Sequence, residues 1–469
     1  MKLFTRSILS LAAVSFIFAD AGAAEQFITG GLKYEALSDS TVTVLKYQEG
    51  TEIDLPTKVT DPETKKEYQV VQVSGQAFLN APITSLKVPA SVKTIEQYAF
   101  WRTQIETLDL AEGVETIGYG AFKECKKLKT VKIPNSVKDL GAIYSLFGIG
   151  GAAFAECDAL TDVELPASLD SIHQQTFINC LSLKNVSISE GIKSIGERAF
   201  EGCNVLHSIK LPSTLERMDR GVFIKSGLTN PTIPGSIKII PNSCYLWCQN
   251  MTGFTIEEGI VEVGRQSFAD CRGFTEIETP NSVEWIRTDA FSGNANVKTI
   301  KLGSGIRRLG HSSLAVWEPT EKNIPVWSLT DIYIDSPVPP VHEQNDEHFD
   351  ILEDDFFFGD KKAFTDEYTH KFYSTVKLHV PEDAVDAYRK AEVWKNFSYI
   401  NDTYNAVDAI EAESGLSVCG GMVTSNGMIE IYTLTGMKVA SANGSFDLRG
   451  LGSGVYVVRS AGKTIKTAI

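Results

Sequence analysis

The sequence predicts a mainly β protein built as a solenoid of short strands with 3-10 or helical corners, followed by a small C-terminal β-sandwich. Three observations lead to this prediction. A large apolar residue returns every 22 or 23 residues, apart from one step of 32. Each return stands in the same phrase, in which alternating apolar residues precede Ala-Phe-x-x-Cys or a close variant. A separate run of alternating residues follows position 415. A repeat this short cannot close a core of its own, so neighbouring copies must stack on one another.

The returning residues, which we call anchor residues, set the register of the stack. Around each anchor residue the sequence predicts two short extended segments and a compact corner. Leu128, Val131 and Ile133, for example, alternate as a strand with one buried face, and Pro134 ends it. A second extended piece follows, and the corner comes next. The anchor residues are Phe78, Phe100, Phe122, Phe154, Phe177, Phe200, Phe223, Tyr245, Phe268, Phe291 and Leu314.

The cysteines follow the same register. Six of the eight stand three residues after an anchor, where Ser226 and Asn294 fill the same position in other copies. A small, weakly polar group suits a tight buried corner in which a hydroxyl or an amide also fits. We therefore expect a row of buried free thiols rather than disulfides, although export would permit disulfides. The six are Cys125, Cys157, Cys180, Cys203, Cys248 and Cys271.

The N-terminal residues 1–24 predict a secretory signal. Lys2 and Arg6 precede a short apolar run, and small residues follow it. No later segment has the length and apolarity of a transmembrane helix. The rest divides into an N-terminal β cap (25–70), the solenoid (71–400), a linker (401–414) and the C-terminal β-sandwich (415–469). Within the solenoid we expect an acidic loop at 342–367 and a capping helix at 381–397, which would seal the open end.

The repeat phrase Leu-x-x-Ile-x-Ile-Pro-x-Ser-Val-x-x-Ile-Gly-x-x-Ala-Phe-x-x-Cys resembles the BspA-like leucine-rich repeat found on bacterial surfaces and in some protozoa. The resemblance covers about ten copies between residues 71 and 315. Pro231 and Thr279 depart from it, since each occupies a strand position that is otherwise apolar. The resemblance implies a surface protein with a leucine-rich-repeat fold.

The run Asp447-Leu-Arg-Gly-Leu-Gly-Ser-Gly-Val-Tyr456 is similar to the C-terminal sorting domain of type IX secretion in the Bacteroidetes. This resemblance covers about fifty residues and implies that outer-membrane secretion machinery reads the domain. The strongly basic end common in that family is absent here. A purely structural β-module is the alternative.

Few residue patterns suggest chemistry. The chain has no Gly-rich phosphate loop, nucleophile elbow, HExxH or CxxC motif, so we expect neither an enzyme nor a cofactor. The acidic loop is a weak metal candidate because carboxylates bind Ca²⁺ and histidines recruit transition metals. A solvated loop is the alternative interpretation. The candidate ligands are His342, Asp346, His348, Asp350 and Asp354.

Two groups of residues are candidates for partner binding. The long step contains an apolar insertion, which either packs on a neighbouring repeat or presents Ile143, Tyr144, Leu146 and Phe147 to a partner. Trp101, Tyr119 and Trp247 flank anchor positions and either bind a partner or cover the corner.

We therefore expect a non-catalytic exported protein that recognises or adheres to a host protein, another cell or a glycan. A scaffold or accessory of a surface carbohydrate-uptake system is the alternative. The expected location is the outer-membrane surface or the extracellular space, with the periplasm as the alternative. A formal net charge of −15 makes nucleic acid an unsuitable partner.

Overall fold

The structure is a computed structural model. It describes residues 25–142, 150–319, 324–342, 354–355, 357, 359–360, 366–401, 416–419, 422–433, 437–451, 455–460 and 463–468. The predicted signal (1–24) and most of the acidic loop and linker lie outside these residues.

The first described strands form a small antiparallel cap that merges into the solenoid. β1, β2 and β3 pair antiparallel, and β3 then pairs in parallel with β6, which starts one face of the stack. The rings of Phe27, Tyr34 and Tyr68 stack beneath the cap with centroids 5.6 and 5.7 Å apart. The strands are β1 (Gln26–Thr29), β2 (Leu32–Ala36), β3 (Thr41–Tyr47), β4 (Glu52–Asp54), β5 (Lys58–Thr60) and β6 (Glu67–Val73).

Each coil of the solenoid then contributes short parallel strands to two faces. Strands of the first face end just before the Pro or Gly turn, and strands of the second face lead into the corner. Equivalent residues pair directly, as Val163 does with Val186 and Ile195 with Met218, because every coil repeats the same register. The strands are β7 (Ser85–Val88), β8 (Thr94–Ile95), β9 (Thr107–Leu110), β10 (Thr116–Gly118), β11 (Thr130–Lys132), β12 (Asp139–Ala142), β13 (Asp162–Leu165), β14 (Ser171–Ile172), β15 (Asn185–Ile188), β16 (Ser194–Ile195), β17 (Arg217–Met218), β18 (Thr232–Ile233), β19 (Ile239–Ile240), β20 (Thr255–Ile256), β21 (Glu262–Val263), β22 (Glu276–Glu278), β23 (Trp285–Ile286), β24 (Thr299–Leu302), β25 (Arg308–Leu309), β28 (Asp331–Ile334) and β29 (Val341–His342). Between β25 and β28, the strands β26 (Glu318–Pro319) and β27 (Pro325–Val326) form a separate antiparallel pair.

The first face is interrupted between β15 and β18. The sequence predicts a strand through Ile209 and Leu211, but the structure forms none there. Pro231 contributes to the gap on the side of β18, because it stands in the next coil at a strand position and has no N–H to donate to the ladder. Thr279 keeps its coil regular, since its hydroxyl accepts a hydrogen bond from the N–H of Gly303 at 3.2 Å.

The corners are runs of hydrogen-bonded turns, which differs from the helical or 3-10 turn expected from the sequence. From Phe78 to Phe291, the residues two before and two after each anchor adopt left-handed backbone conformations, as Tyr98 and Arg102 do around Phe100 (φ 56° and 59°). The N–H groups then point along the stack. Phe100 donates to Ala121 of the next coil at 2.8 Å, and Arg102 donates to Lys123 at 3.0 Å. The corner is thus a third backbone ladder, which a helical turn could not provide.

The anchor residues form a continuous column inside the stack. Successive anchor rings from Phe78 to Phe291 have centroids 4.8–5.9 Å apart and lie within 21° of parallel. One hydrophobic cluster of buried residues extends from Phe27 to Ile400. The coils therefore share a single core, as the repeat length requires.

The predicted row of buried free thiols is confirmed for all six of its cysteines, and Cys244 is also free and buried. Each cysteine three residues after an anchor directs its thiol to the backbone carbonyl of the preceding anchor, at 2.9–3.3 Å. Asn294 makes the same bond with its amide, to Phe268 at 2.9 Å. A thiol and a side-chain amide can both donate to this carbonyl, which explains why an amide can stand in this position.

Beyond Leu314 the strands continue and the end of the core is closed. The elements are β30 (Asp354–Asp355), β31 (Gly359–Asp360), α1 (Asp366–Thr375), β32 (Lys377–His379) and α2 (Val385–Lys390). β28 pairs with β24, and β32 pairs with β28, so the first face extends by two strands.

The prediction of a single capping helix at 381–397 is wrong. Two 3-10 turns, Glu382–Ala384 and Trp394–Asn396, flank the six-residue α2, because Ala391 is extended and Val393 has a φ of 65°. The break turns Trp394 inward, where its Nε1 donates to the carbonyl of Pro340 at 2.9 Å.

The C-terminal residues form a separate antiparallel unit. β33 (Leu416–Cys419), β34 (Met422–Thr433), β35 (Lys438–Asp447), β36 (Val455–Ser460) and β37 (Lys463–Ala468) make one curled sheet in which the long β34 pairs with three neighbours. The sequence predicted a sandwich here. The unit has its own hydrophobic cluster around Val423, Ile431 and Val458. A mainly β repeat solenoid with a C-terminal β-unit is therefore confirmed. Among the described residues, none of the helices combines the length and the apolarity needed to cross a membrane.

Candidate binding surface

The outer side of the first face carries charges that pair with each other. Lys132 lies 3.5 Å from Glu164 on the neighbouring strand, and Lys301 contacts Glu276 and Glu278. Oppositely charged cross-strand neighbours attract, and such exposed pairs contribute little to stability. Among the described strands, these charges on the first face thus largely neutralise each other.

The outer row of the corners, defined as the residues two after each anchor, is more distinctive. Every member from Asn80 to Gly293 has a positive φ. Gly, Asn and Asp tolerate this conformation best, whereas a bulky side chain there is an outlier. Trp247 is the single apolar member of the row. The row is Asn80, Arg102, Glu124, Glu156, Asn179, Gly202, Lys225, Trp247, Asp270 and Gly293.

Trp101 is tied into its corner. Its Nε1 donates to Glu124 at 3.0 Å, the Arg102 guanidinium lies over its ring at 4.6 Å, and the Tyr98 ring lies 4.9 Å away. Burial acts to raise the pKa of the Glu124 carboxyl, but the hydrogen bonds from Arg102 and Trp101 outweigh it and lower the pKa. Tyr119 packs edge-on against Tyr98 at 5.2 Å. Burial raises the pKa of Tyr98 to about 12. These contacts favour the covering role over partner binding for Trp101 and Tyr119.

Trp247 is arranged differently. Trp247 is 43% exposed, and its backbone has a left-handed φ of 61° like the rest of the outer row. The Nε1 donates to Asp270 of the next coil at 3.2 Å, and the Lys225 ammonium of the preceding coil lies 4.8 Å from the ring centroid. The indole is therefore held in place from both sides without being buried.

A groove of about 510 Å³ lies beside this indole. Besides Trp247 and Lys225, its walls include the side chains of Asn204, Gln249 and Asn250, all exposed. Among the described residues these three amides have no hydrogen-bond partner. The site thus combines a fixed aromatic ring with unused donors and acceptors.

The sequence indicated Trp247 but missed the amides. Asn204 and Gln249 each stand four residues after an anchor, in coils that are two apart. Projecting the repeat register onto the corner would have placed them on the same side of the stack. Their meeting at one groove depends on the turn geometry, which the sequence did not reveal.

The apolar insertion, with Ile143, Tyr144, Leu146 and Phe147, lies outside the described residues. Its flanks are described. Gly151 donates its N–H to the carbonyl of Gly141 at 2.8 Å, so the two described flanks lie next to each other. The stack keeps its register across the insertion, because Phe122 and Phe154 still lie 5.2 Å apart.

The metal hypothesis is largely outside the described residues as well. His342 ends β29 and Asp354 begins β30, whereas Asp346, His348 and Asp350 are among the undescribed residues. Within the described part of the chain, no three His, Cys, Asp or Glu side chains come together as a metal site would require. A metal site in the acidic loop stays a hypothesis.

The repeats match a known family. The family model described as the BspA type leucine-rich repeat region matches residues 57–145, 144–252 and 238–333. These segments span more than half of the chain. The chain belongs to the BspA-type leucine-rich repeat family. Its repeats carry the ring column and the thiol row described above.

The chain is also similar to several solved structures. A leucine-rich repeat protein from Bacteroides ovatus is 19% identical, with 66% of this chain and 94% of that chain covered and a TM-score of 0.37. A leucine-rich cell surface protein from Faecalibacterium prausnitzii is 20% identical, with 67% and 95% covered and a TM-score of 0.40. The pneumococcal vaccine antigen PcpA is 18% identical, with 81% and 99% covered and a TM-score of 0.40. No curated protein matches the chain.

Proposed function

We propose that this protein is an exported, non-catalytic surface protein that recognises a ligand through the corner side of its solenoid. The observation that carries the proposal is Trp247, an exposed indole held in an unfavourable backbone conformation beside a groove. Strained residues persist where the surroundings hold them, and they cluster at functional sites. Exposed tryptophans that are fixed in place are common binding anchors.

The family supports a surface role for the repeat region. Leucine-rich repeat proteins are typically non-catalytic, and one relative of similar fold is a cell surface protein. A solenoid displays a long continuous surface that suits the recognition of large partners. A net charge of −15 leaves nucleic acid an unsuitable ligand.

We further propose that residues 1–24 direct export and that residues 415–469 act as a sorting or anchoring domain. The described strands of the C-terminal unit have a hydrophobic cluster separate from that of the solenoid. A unit with its own core can be recognised, and removed, without unfolding the repeats.

Fractionation of the native cells tests location. Full-length protein should resist washing from the outer surface and should be accessible to added protease on intact cells. A variant that ends at residue 414 should remain in the periplasm. Periplasmic retention of the full-length protein, or surface display of the shortened one, would contradict the sorting role.

Binding of the purified protein to matrix proteins, intact cells and glycans tests recognition. We expect at least one ligand to be retained, and Trp247→Asn to reduce its retention. Asn is a suitable replacement because it already stands in the same position at Asn80 and Asn179. If Trp247→Asn leaves every observed interaction unchanged, the corner is not the recognition surface.

A further inference from the structure

We propose that the groove beside Trp247 is a saccharide-binding subsite, in which one sugar ring stacks on the indole and its hydroxyl groups bond to the side-chain amides. This inference rests on the proposed recognition function and assigns a ligand class to the same surface.

The indole offers a suitable platform. A pyranose ring has a face of C–H groups, and such a face packs on an aromatic ring through dispersion and weak polar contacts. Trp247 is already positioned by its bond to Asp270 at 3.2 Å, so binding need not order it. A fixed platform lowers the entropic cost of binding.

Neither the backbone nor the core requires an indole at this position. A left-handed φ is unfavourable for a bulky residue, and the other members of the outer row are polar or glycine. The core beneath the corner is already filled by Tyr245, which is fully buried. The indole therefore neither completes the core nor suits its backbone position.

The amides supply the polar half of the site. A side-chain amide carries both donors and acceptors, as a sugar hydroxyl does. Asn204, Gln249 and Asn250 line the groove and have no hydrogen-bond partner among the described residues. Pairs of neighbouring hydroxyls can use both kinds of group at once. An apolar side chain of a protein partner would leave these amides desolvated and unpaired, which is unfavourable.

The size and charge of the groove fit the same ligand class. Its volume of about 510 Å³ lies within the range of small-molecule sites and would hold one or two sugar rings. Lys225 is the charged residue lining it, and it can donate to a hydroxyl or to the carboxylate of an acidic sugar.

Calorimetric titration of the mature protein tests the proposal, with xylohexaose, cellohexaose, mannohexaose and a hexamer of galacturonic acid as probes. We expect at least one probe to bind. Trp247→Asn should weaken it about tenfold or more, the scale of losing one binding anchor. Trp247→Phe keeps a ring and should lose less. Lys225→Gln should weaken the galacturonic acid hexamer more than the neutral probes, if that probe binds, because it removes the charge that faces the carboxylate.

Trp101→Ala is the matched control, because it removes an indole from a corner where the ring is already engaged by Glu124 and Arg102. It should leave saccharide binding unchanged. The denaturation midpoint of Trp247→Asn should be unchanged or higher, since Asn accepts the left-handed conformation. This second measurement separates loss of a ligand contact from loss of folding.

Three results would overturn the proposal. One is that none of the probes binds, and another is that Trp247→Asn binds them as well as the wild type does. The third is that Trp247→Asn loses a protein ligand and the wild type binds no saccharide. In that case recognition through the corner would stand while the ligand class would be wrong.

Discussion

Replacing Phe200 by alanine should destabilise the solenoid strongly. The Phe200 side chain is fully buried, and its ring lies 5.6 Å from both the Phe177 and the Phe223 rings, within 12° of parallel. The substitution would open a cavity in the column that two neighbouring coils share. Phe→Ala substitutions in cores cost about 3–5 kcal/mol. A loss of about 4 kcal/mol is a large part of the 5–15 kcal/mol by which domains are usually stable.

Guanidinium denaturation followed by circular dichroism measures this loss. The matched control is Leu181→Ala, which also truncates an apolar residue but one that is 45% exposed. Surface changes of this kind stay within about 0.5 kcal/mol. If Phe200→Ala costs less than about 1 kcal/mol, the ring column does not hold the coils together and the reasoning from repeat length to shared core fails.

Two further changes test the packing and the electrostatics. Gly113 has a φ of 130°, and a Cβ there would lie 2.3 Å from the carbonyl oxygen of Ala90. Gly113→Ala should therefore lower the free energy of unfolding by about 2 kcal/mol or more, as measured by thermal denaturation. Gly450→Ala is the control and should be neutral, because no atom lies within 4 Å of a Cβ at that position. Burial acts to raise the pKa of Asp331, but the hydrogen bond from His379 at 2.8 Å helps to outweigh it, and the pKa is lowered. Because the folded pKa lies below the unfolded one, this stabilisation is present above pH ~4 and is lost as the pH falls through the folded value. Asp331→Asn should therefore destabilise the protein at pH 7 and have a diminishing effect in denaturation at lower pH; an equal effect at both would contradict the assignment.

The repeat spacing predicted the architecture well because the same spacing recurs in every coil. Once Phe177 and Phe200 are recognised as equivalent, their stacking and the parallel pairing of their strands follow. The position of Cys203 relative to Phe200 likewise predicted a buried thiol. These features depend on local order and on register, both of which can be read from a single sequence.

The corners could not be predicted in the same way. Arg102 and Glu124 have no preference for left-handed backbone, and hydrogen bonds between coils impose it on them. The same holds for the break near Val393, which lets Trp394 reach the carbonyl of Pro340. In both cases a contact distant in sequence overrides the local preference.

The candidate site was predicted only in part. Trp247 was recognisable as an aromatic residue beside an anchor, as Trp101 was. The difference between the two is decided by their partners, since Glu124 and Arg102 engage Trp101 whereas a groove opens beside Trp247. The sequence shows which residues are present but not the distances between their side chains.

The central claim is that the coils share one continuous apolar interior and that no disulfide bond joins one coil to another. Burial raises the pKa of Cys125 and of Cys180 to about 12, so these thiols should be unreactive in the folded protein. Titration of a Cys419→Ser variant with a thiol reagent at pH 8, without reductant, tests the claim directly. We expect virtually no reaction in the native state and seven reactive thiols in guanidinium, one for each cysteine that remains in this variant. Rapid native reaction, or fewer than seven thiols after unfolding, would contradict a shared interior of free cysteines.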